Sequence, residues 1–232
     1  MSAAPQPRPV VDVWSIAVAG AGAGASERRL SAVLDRDERA RAARFVMADD
    51  RLRHQVAHGA LRTILGDCTG AAPADLRFVR GEHGKPLLAG GPHFSLSHSG
   101  GVALVAVSHE REVGVDVEEV RPVPEACELA RRHLAALPAR RIVDAPEGKR
   151  DRLFMAAWTA IEAILKAEGT GLTGIEEPFD LRDLDEDRVR ATIAGLADSP
   201  TWTVRHLALA AGHVGAVAVR DADFELRTHR FA

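Results

Sequence analysis

The 232-residue chain predicts an α+β fold of two similar halves with a ligand site at their junction. The first observation is an internal echo. "VALVAVS" (Val102 to Ser108) and "VGAVAVR" (Val214 to Arg220) agree at four of seven positions, all apolar strand positions. The second is order: each of these strands follows a helix, a glycine stop and a short strand near a phenylalanine. Gly66 then Phe78 serve the first, Gly169 then Phe179 the second. Short Ala/Val strands also match by chance, so the order of elements carries the argument. The join falls near Arg111 to Gly114, which gives halves of residues 1–112 and 113–232. Ligands often bind between such halves.

The elements follow from periodicity and punctuation. A proline-bearing tail leads into a strand over Val10 to Val18, and the Gly/Ala run Gly20 to Ala25 reads as a loop. Charged periodic segments over Ala25 to Arg44 and Asp49 to Leu65 read as two helices. In the second, Leu52, Val56, Ala60 and Ile64 recur at helical spacing and Gly66 ends it. "LRFVR" is a short strand and "GEHGKP" a turn. "HFSLSHSGGVALVAVS" gives two strands around a Ser/Gly turn, and "REVGVDVEEV" a strand that meets Pro122. A polar helical region spans Pro124 to Val143, "APEGKRD" is a loop, and a helix runs from Arg152 to Glu168. Strands near Phe179 and at "RVRATIA", "TWTVRHLAL", "HVGAVAVR" and "FELRTHRF" complete the chain.

Composition narrows the function. The residues are 46% hydrophobic and 27% charged, an ordinary globular profile. A formal net charge of -3 offers no global attraction to nucleic acid or an anionic membrane. Cys68 and Cys127 form neither a metal-ligand pattern nor a disulfide framework, which suits a reducing cytoplasm. No apolar run approaches the roughly 20 residues of a membrane span. The start, with three prolines and charges at Arg8 and Asp12, lacks the charged-then-apolar order of a signal peptide.

Carboxylates mark the chemistry. On a helix, Phe154, Met155, Trp158, Ile161 and Leu165 form one apolar stripe, and Glu162 falls inside it. An unpaired buried charge costs several kcal/mol, so something must meet it. In "VGVDVEEV", Val113, Val115 and Val117 face one side of a strand while Gly114, Asp116 and Glu118 face the other. Taken alone, this is a wet acidic face, and Glu162 alone is an ion pair with Lys166 at i+4. Together the three acids suit a hard divalent cation such as magnesium, which takes oxygen ligands and keeps waters or phosphates in its shell. Around them stand Lys85 in "HGKP", His98 among Ser95, Ser97 and Ser99, and Arg53, His58 and Arg62 on the earlier helix. Such cations fit a substrate carrying several phosphates. A serine-hydrolase reading of "SLSHSGG" fails on spacing, because the nucleophile elbow needs G-x-S-x-G between strand and helix.

The ordered set "HGKP", "FSLSHSGG", "VGVDVEEV" and "WTAIEAILKAEGTGL", spanning Gly84 to Leu172, resembles the Sfp-type 4′-phosphopantetheinyl transferases. The resemblance implies their pseudo-twofold fold, with coenzyme A and Mg²⁺ at the junction of the halves. It implies that Asp116, Glu118 and Glu162 hold the metal with the pyrophosphate, and that Lys166 contacts the pyrophosphate. Lys85, Ser97 and His98 would surround the 3′-phosphate, and Arg53 would help seat the nucleotide. Phosphopantetheine would pass to a serine of an apo acyl or peptidyl carrier protein, and adenosine 3′,5′-bisphosphate would leave. Glu162 or a metal-bound water would be the base, with Asp116 and Lys166 also catalytic. The chain departs from the family pattern at Ile161, where a lysine is usual, and at Pro138, where a glutamate is usual. These departures motivate the alternative of a coenzyme A-binding protein that no longer transfers. A third option is a metal-dependent phosphoester hydrolase. Basic runs near Arg131 and Arg140 are candidates to receive acidic carrier helices, and the chain is expected to be monomeric.

Overall fold

Strand alternation decides how the layers stack. In the computed structural model the described residues are 8–18, 24–171, 177–182, 188–193, 200–210 and 212–232. The strands are β1 (Val10–Ala17), β2 (Phe78–Arg80), β3 (Pro86–Leu88), β4 (His93–Ser99), β5 (Val102–Ser108) and β6 (Val113–Glu119) in the first part of the chain. β7 (Phe179–Arg182), β8 (Arg188–Ile193), β9 (Trp202–His206), β10 (His213–Arg220) and β11 (Glu225–Arg230) follow. The helices are α1 (Ala25–Ala32), α2 (Arg36–Ala42), α3 (Ala48–Thr69), α4 (Ala126–His133), α5 (Ala136–Val143) and α6 (Glu147–Glu168).

Two sheets form, in the orders β11-β1-β5-β4 and β6-β10-β9-β8-β7, with β2 and β3 as a separate hairpin. On β5, Ala103, Val105 and Val107 turn toward α3, while Leu104 and Ala106 turn toward the second sheet. On β10, Ala216 and Ala218 turn toward α6, while Val217 and Val219 turn toward the first sheet. A central apolar core therefore lies between the sheets, with α3 outside one and α6 outside the other. Valines 113, 115 and 117 of β6 enter that central core, as their alternation predicts.

The two halves share a plan. β5 lies between β1 and β4 and is antiparallel to both. β10 lies between β6 and β9 and is also antiparallel to both. The two echoing segments thus occupy corresponding strands. α3 and α6 each have 22 residues, and each closes on a left-handed glycine, Gly70 (φ 73°) and Gly169 (φ 81°). β11 returns to the first sheet, pairing in parallel with β1.

Several boundaries differ from the sequence reading. The segment Ala25 to Arg44 is two helices. Asp35 caps α2 by accepting from the Glu38 N–H, while Glu38 accepts from the Asp35 N–H, and this reciprocal cap starts a new helix. α3 continues past Gly66, which packs under Pro73. The region from Pro124 to Val143 breaks at Leu134, which is extended and bridges to Phe179. Pro138 lies in the first turn of α5, where a missing N–H costs little. α6 begins at Glu147 with Pro146 as its cap, so most of the expected loop is helix. Positions 20–23 of the Gly/Ala run, Leu172 and Ala194 lie outside the described residues.

Gly114 joins the second sheet to α6. A Cβ there would overlap the Ala163 carbonyl oxygen and the Ala167 amide nitrogen. The space beside Asp116 is therefore filled by the helix backbone, and this close approach brings the α6 side chains to β6. Gly114→Ala is expected to lower stability by about 1–3 kcal/mol through overpacking, measured by denaturant unfolding of the two proteins.

Candidate active site

β4 and β6 are edge strands of different sheets, and they meet through serine side chains. The Val115, Val117 and Glu119 amides of β6 donate to the hydroxyl oxygens of Ser95 (3.1 Å), Ser97 (3.4 Å) and Ser99 (3.1 Å). Period-two spacing puts all three hydroxyls on one side of β4, where they satisfy amides that an edge strand would leave open. Two of these serines also grip acids. Ser97 Oγ donates to Asp116 Oδ1 at 2.7 Å, and Ser99 Oγ donates to Glu118 Oε2 at 2.8 Å.

α6 adds the third component. Lys166 Nζ donates to Asp116 Oδ1 at 2.6 Å and to Ser97 Oγ at 2.9 Å. It therefore reaches across to β6 instead of pairing with Glu162 one turn back. Glu162 lies close enough to feel Asp116 and Glu118. Burial raises its pKa, Asp116 raises it further, Lys166 opposes and Glu118 adds. Burial likewise raises Glu118, partly offset by the Ser99 hydrogen bond. Asp116 is buried and its Oδ2 has no hydrogen-bond partner.

Among the described residues, no three His, Cys, Asp or Glu side chains converge as a ready-made metal cage. The local charge nevertheless suits a cation. Three carboxylates face one lysine, two of them are held toward the protonated form, and a buried carboxylate oxygen is left over. An all-oxygen donor set of this kind matches a hard divalent ion.

Lys166 also lines a cavity of about 1020 Å³, bounded by α2, α3, the β2–β3 turn, β4 and the end of α6. His98 and Lys85 line it as well. His98 points away from its serine neighbours, and burial lowers its pKa, helped by the charges of His58, Lys166, Arg41 and Arg53. The Lys85 ammonium is engaged, donating to Glu112 Oε2 (2.7 Å) and the Ala167 carbonyl (2.8 Å). Ser97 belongs to the seam. Arg53 pairs with Asp50 at 2.7 Å and reaches the site through its charge on His98. Arg62 is structural: fully buried, it donates to Asp35, Glu38 and the carbonyls of Pro73 and Leu76, and it lies over the Phe78 ring. Ile161 is fully buried in the α6 core. Sequence reasoning missed Arg41, Arg44 and Arg80, which line the cavity; the run "RARAARF" held the signal for the first two.

Comparison with known proteins matches residues 112–218 to the 4′-phosphopantetheinyl transferase superfamily. Residues 25–110 match the 4′-phosphopantetheinyl transferase N-terminal model. The chain is 34% identical over 195 residues to the 4′-phosphopantetheinyl transferase HetI of Nostoc sp., covering 82% of this chain and 80% of the relative. It is 36% identical over 147 residues to a putative 4′-phosphopantetheinyl transferase of Synechocystis sp., covering 62% and 60%. To the 4′-phosphopantetheinyl transferase Sfp of Bacillus subtilis it is 24% identical over 198 residues, covering 84% and 86%.

A histidine cluster underlies the cavity. The His54 and His58 rings are 4.1 Å apart, and Phe45 packs on His54 at 5.2 Å. Burial, with the charges of His58, Arg41 and His98, lowers the His54 pKa from 6.5 to about 4. Above pH 6.5 folded and unfolded chains both hold it neutral. Between pH 6.5 and 4 the unfolded chain takes up a proton that the folded chain refuses, so stability falls, by about 3 kcal/mol from this group. Glu38 extends the loss further down. Burial raises its carboxyl, but His58 nearby at 3.6 Å and bonds from the Asp35 amide and Arg62 overcome this and hold it at about 2, so its contribution fades from pH 4.5 toward 2. In denaturant titrations, His54→Leu should show a shallower stability loss between pH 6.5 and 4 than the parent. An unchanged slope would place the proton elsewhere.

Proposed function

The chain belongs to the 4′-phosphopantetheinyl transferase superfamily and is an enzyme of that class; from this premise we propose how its own residues work. The donor is coenzyme A, and the acceptor is a serine of an apo acyl or peptidyl carrier protein of a polyketide, peptide or fatty-acid synthase. The carrying observation is Lys166, which joins the buried Asp116–Ser97 contact to the cavity lined by Lys85 and His98. Lys85 and His98 receive the 3′-phosphate end, Lys85 exchanging the half-exposed Glu112 carboxylate for phosphate. Arg53 adds positive charge behind His98. Ser97 orients Lys166 and Asp116. Lys166 contacts the pyrophosphate.

Asp116, Glu118 and Glu162 are the residues that hold Mg²⁺, and the partnerless Asp116 Oδ2 supports that assignment. When bound, the ion neutralises pyrophosphate charge. Glu162 takes the acceptor serine's proton on a carboxylate oxygen. The serine oxygen bonds to the β-phosphorus, and the bond to the bridging oxygen breaks. Adenosine 3′,5′-bisphosphate leaves with the negative charge, which Lys166 stabilises. Exposed Arg131 and Arg132 on α4 and Arg140 on α5, the last paired with Asp144 at 3.1 Å, are the basic side chains offered to an acidic carrier helix. We place the boundary of the halves between residues 112 and 113, with β11 strapped back across it, and the chain in the cytoplasm as a monomer.

Burial of Ile161, where a lysine is usual, and Pro138 in place of an acid favour a second reading: coenzyme A binding without transfer. Mixing the protein with coenzyme A, Mg²⁺ and an apo carrier domain separates the two. A carrier mass gain of one phosphopantetheine supports the transferase. Coenzyme A binding with no mass gain supports the binder, and phosphopantetheine released without acceptor supports a hydrolase. Glu162→Gln should lower transfer on the order of 100-fold or more while the circular dichroism spectrum stays unchanged. Transfer at the parent rate would remove Glu162 from the site.

A further inference from the structure

The β4–β6 seam repeats one device twice. Ser97 accepts the Val117 amide and donates to Asp116; two residues on, Ser99 accepts the Glu119 amide and donates to Glu118. Each hydroxyl thus uses its oxygen to fix the strand and its proton to fix the carboxylate that precedes the bonded amide. Ser95 makes the first contact without the second: its oxygen accepts the Val115 amide at 3.1 Å, and residue 114 is a glycine with no acid to hold. The three serines therefore separate seam building from acid placement.

We propose that Ser99 is a positioning residue that fixes the Glu118 carboxylate for cation binding. Glu118 is half-buried near a strand end, one residue before the exposed Glu119, and its side chain has three rotatable bonds. The bond at 2.8 Å engages Oε2, and Glu118 lies close enough to Asp116 and Glu162 for their charges to interact. Asp116 has a lysine as well as a serine to hold it; Ser99 supplies the hydroxyl bond that holds Glu118. Partners of metal ligands at this distance commonly set affinity by ~10- to 100-fold. The inference rests on the proposed metal role of Glu118.

The test is Mn²⁺ titration of the full chain with saturating coenzyme A, read by electron paramagnetic resonance of unbound Mn²⁺, with thermal unfolding of each variant in parallel. Ser99→Ala should weaken Mn²⁺ by ~10-fold or more, Ser99→Thr should restore binding close to the parent, and Ser95→Ala should leave Mn²⁺ affinity within about twofold despite losing a seam bond of the same kind. Equal affinity in Ser99→Ala and parent, or equal losses in Ser95→Ala and Ser99→Ala, would overturn the proposal. Should Ser99→Ala fail to fold, Ser99→Cys keeps the volume with a poor donor, and parent-like affinity in that variant would overturn it equally. Absence of coenzyme A-dependent Mn²⁺ binding in the parent would remove the metal reading of the whole site, and Ser99 with it. A parent that binds with an unaffected Ser99→Ala removes the Ser99 proposal alone.

Discussion

One oxygen atom, Oδ1 of Asp116, accepts from Ser97 of β4 and from Lys166 of α6 at once. Three elements from different parts of the chain are thereby fixed to a single buried acid. Removing two charges from water is costly, and in a protein interior attraction repays that cost only when the remaining polar atoms are satisfied. Here they are satisfied on one side only. Lys166 is partly exposed to the cavity, and Asp116 Oδ2 has no partner. A purely structural ion pair would close both sides. This one leaves an oxygen over beside Glu118 and Glu162, whose carboxyls are held toward protonation by burial and by the charge of Asp116.

Everything that positions this contact serves it indirectly. The absent side chain at Gly114 lets α6 approach β6 until their backbones touch, so that Lys166 reaches Asp116. The serines of β4 join two sheets that share no backbone ladder at that edge. Valines of β6 anchor the opposite face in the central core. On the other side of Lys166, the cavity gathers Arg41 of α2, Arg44, Arg80 of β2 and Lys85 of the β2–β3 turn, with the imidazoles of His58 and His98 beside them. Acidic floor and basic wall meet at one lysine, an arrangement suited to a ligand that is itself polyanionic and carries a divalent ion.

Much of this was legible because strand alternation is a local property. "VGVDVEEV" read correctly as a two-faced strand, "HFSLSHS" as a strand ending in a turn, and the stripe on α6 as its core face. What escaped the sequence depends on partners distant along the chain. Arg62 looked like a helix-surface cation, but its carboxylates, Asp35 and Glu38, come from another helix. Glu162 looked like the partner of Lys166 because i+4 spacing is visible in sequence, whereas Asp116 lies 50 residues away. The break at Asp35 was missed for a different reason: its signal is a reciprocal cap with Glu38 inside a run that is charged throughout. Lys85 is bound to Glu112 and the end of α6, contacts that no spacing reveals.

The most direct examination of the shared cation is a crystal of the protein grown with coenzyme A and Mn²⁺, with data collected for the anomalous signal of manganese. A single peak within bonding distance of carboxylate oxygens from Asp116, Glu118 and Glu162, and of the pyrophosphate, is the expected result. A peak bonded to other residues, or a bound coenzyme A whose pyrophosphate lies away from those three acids, would contradict the account.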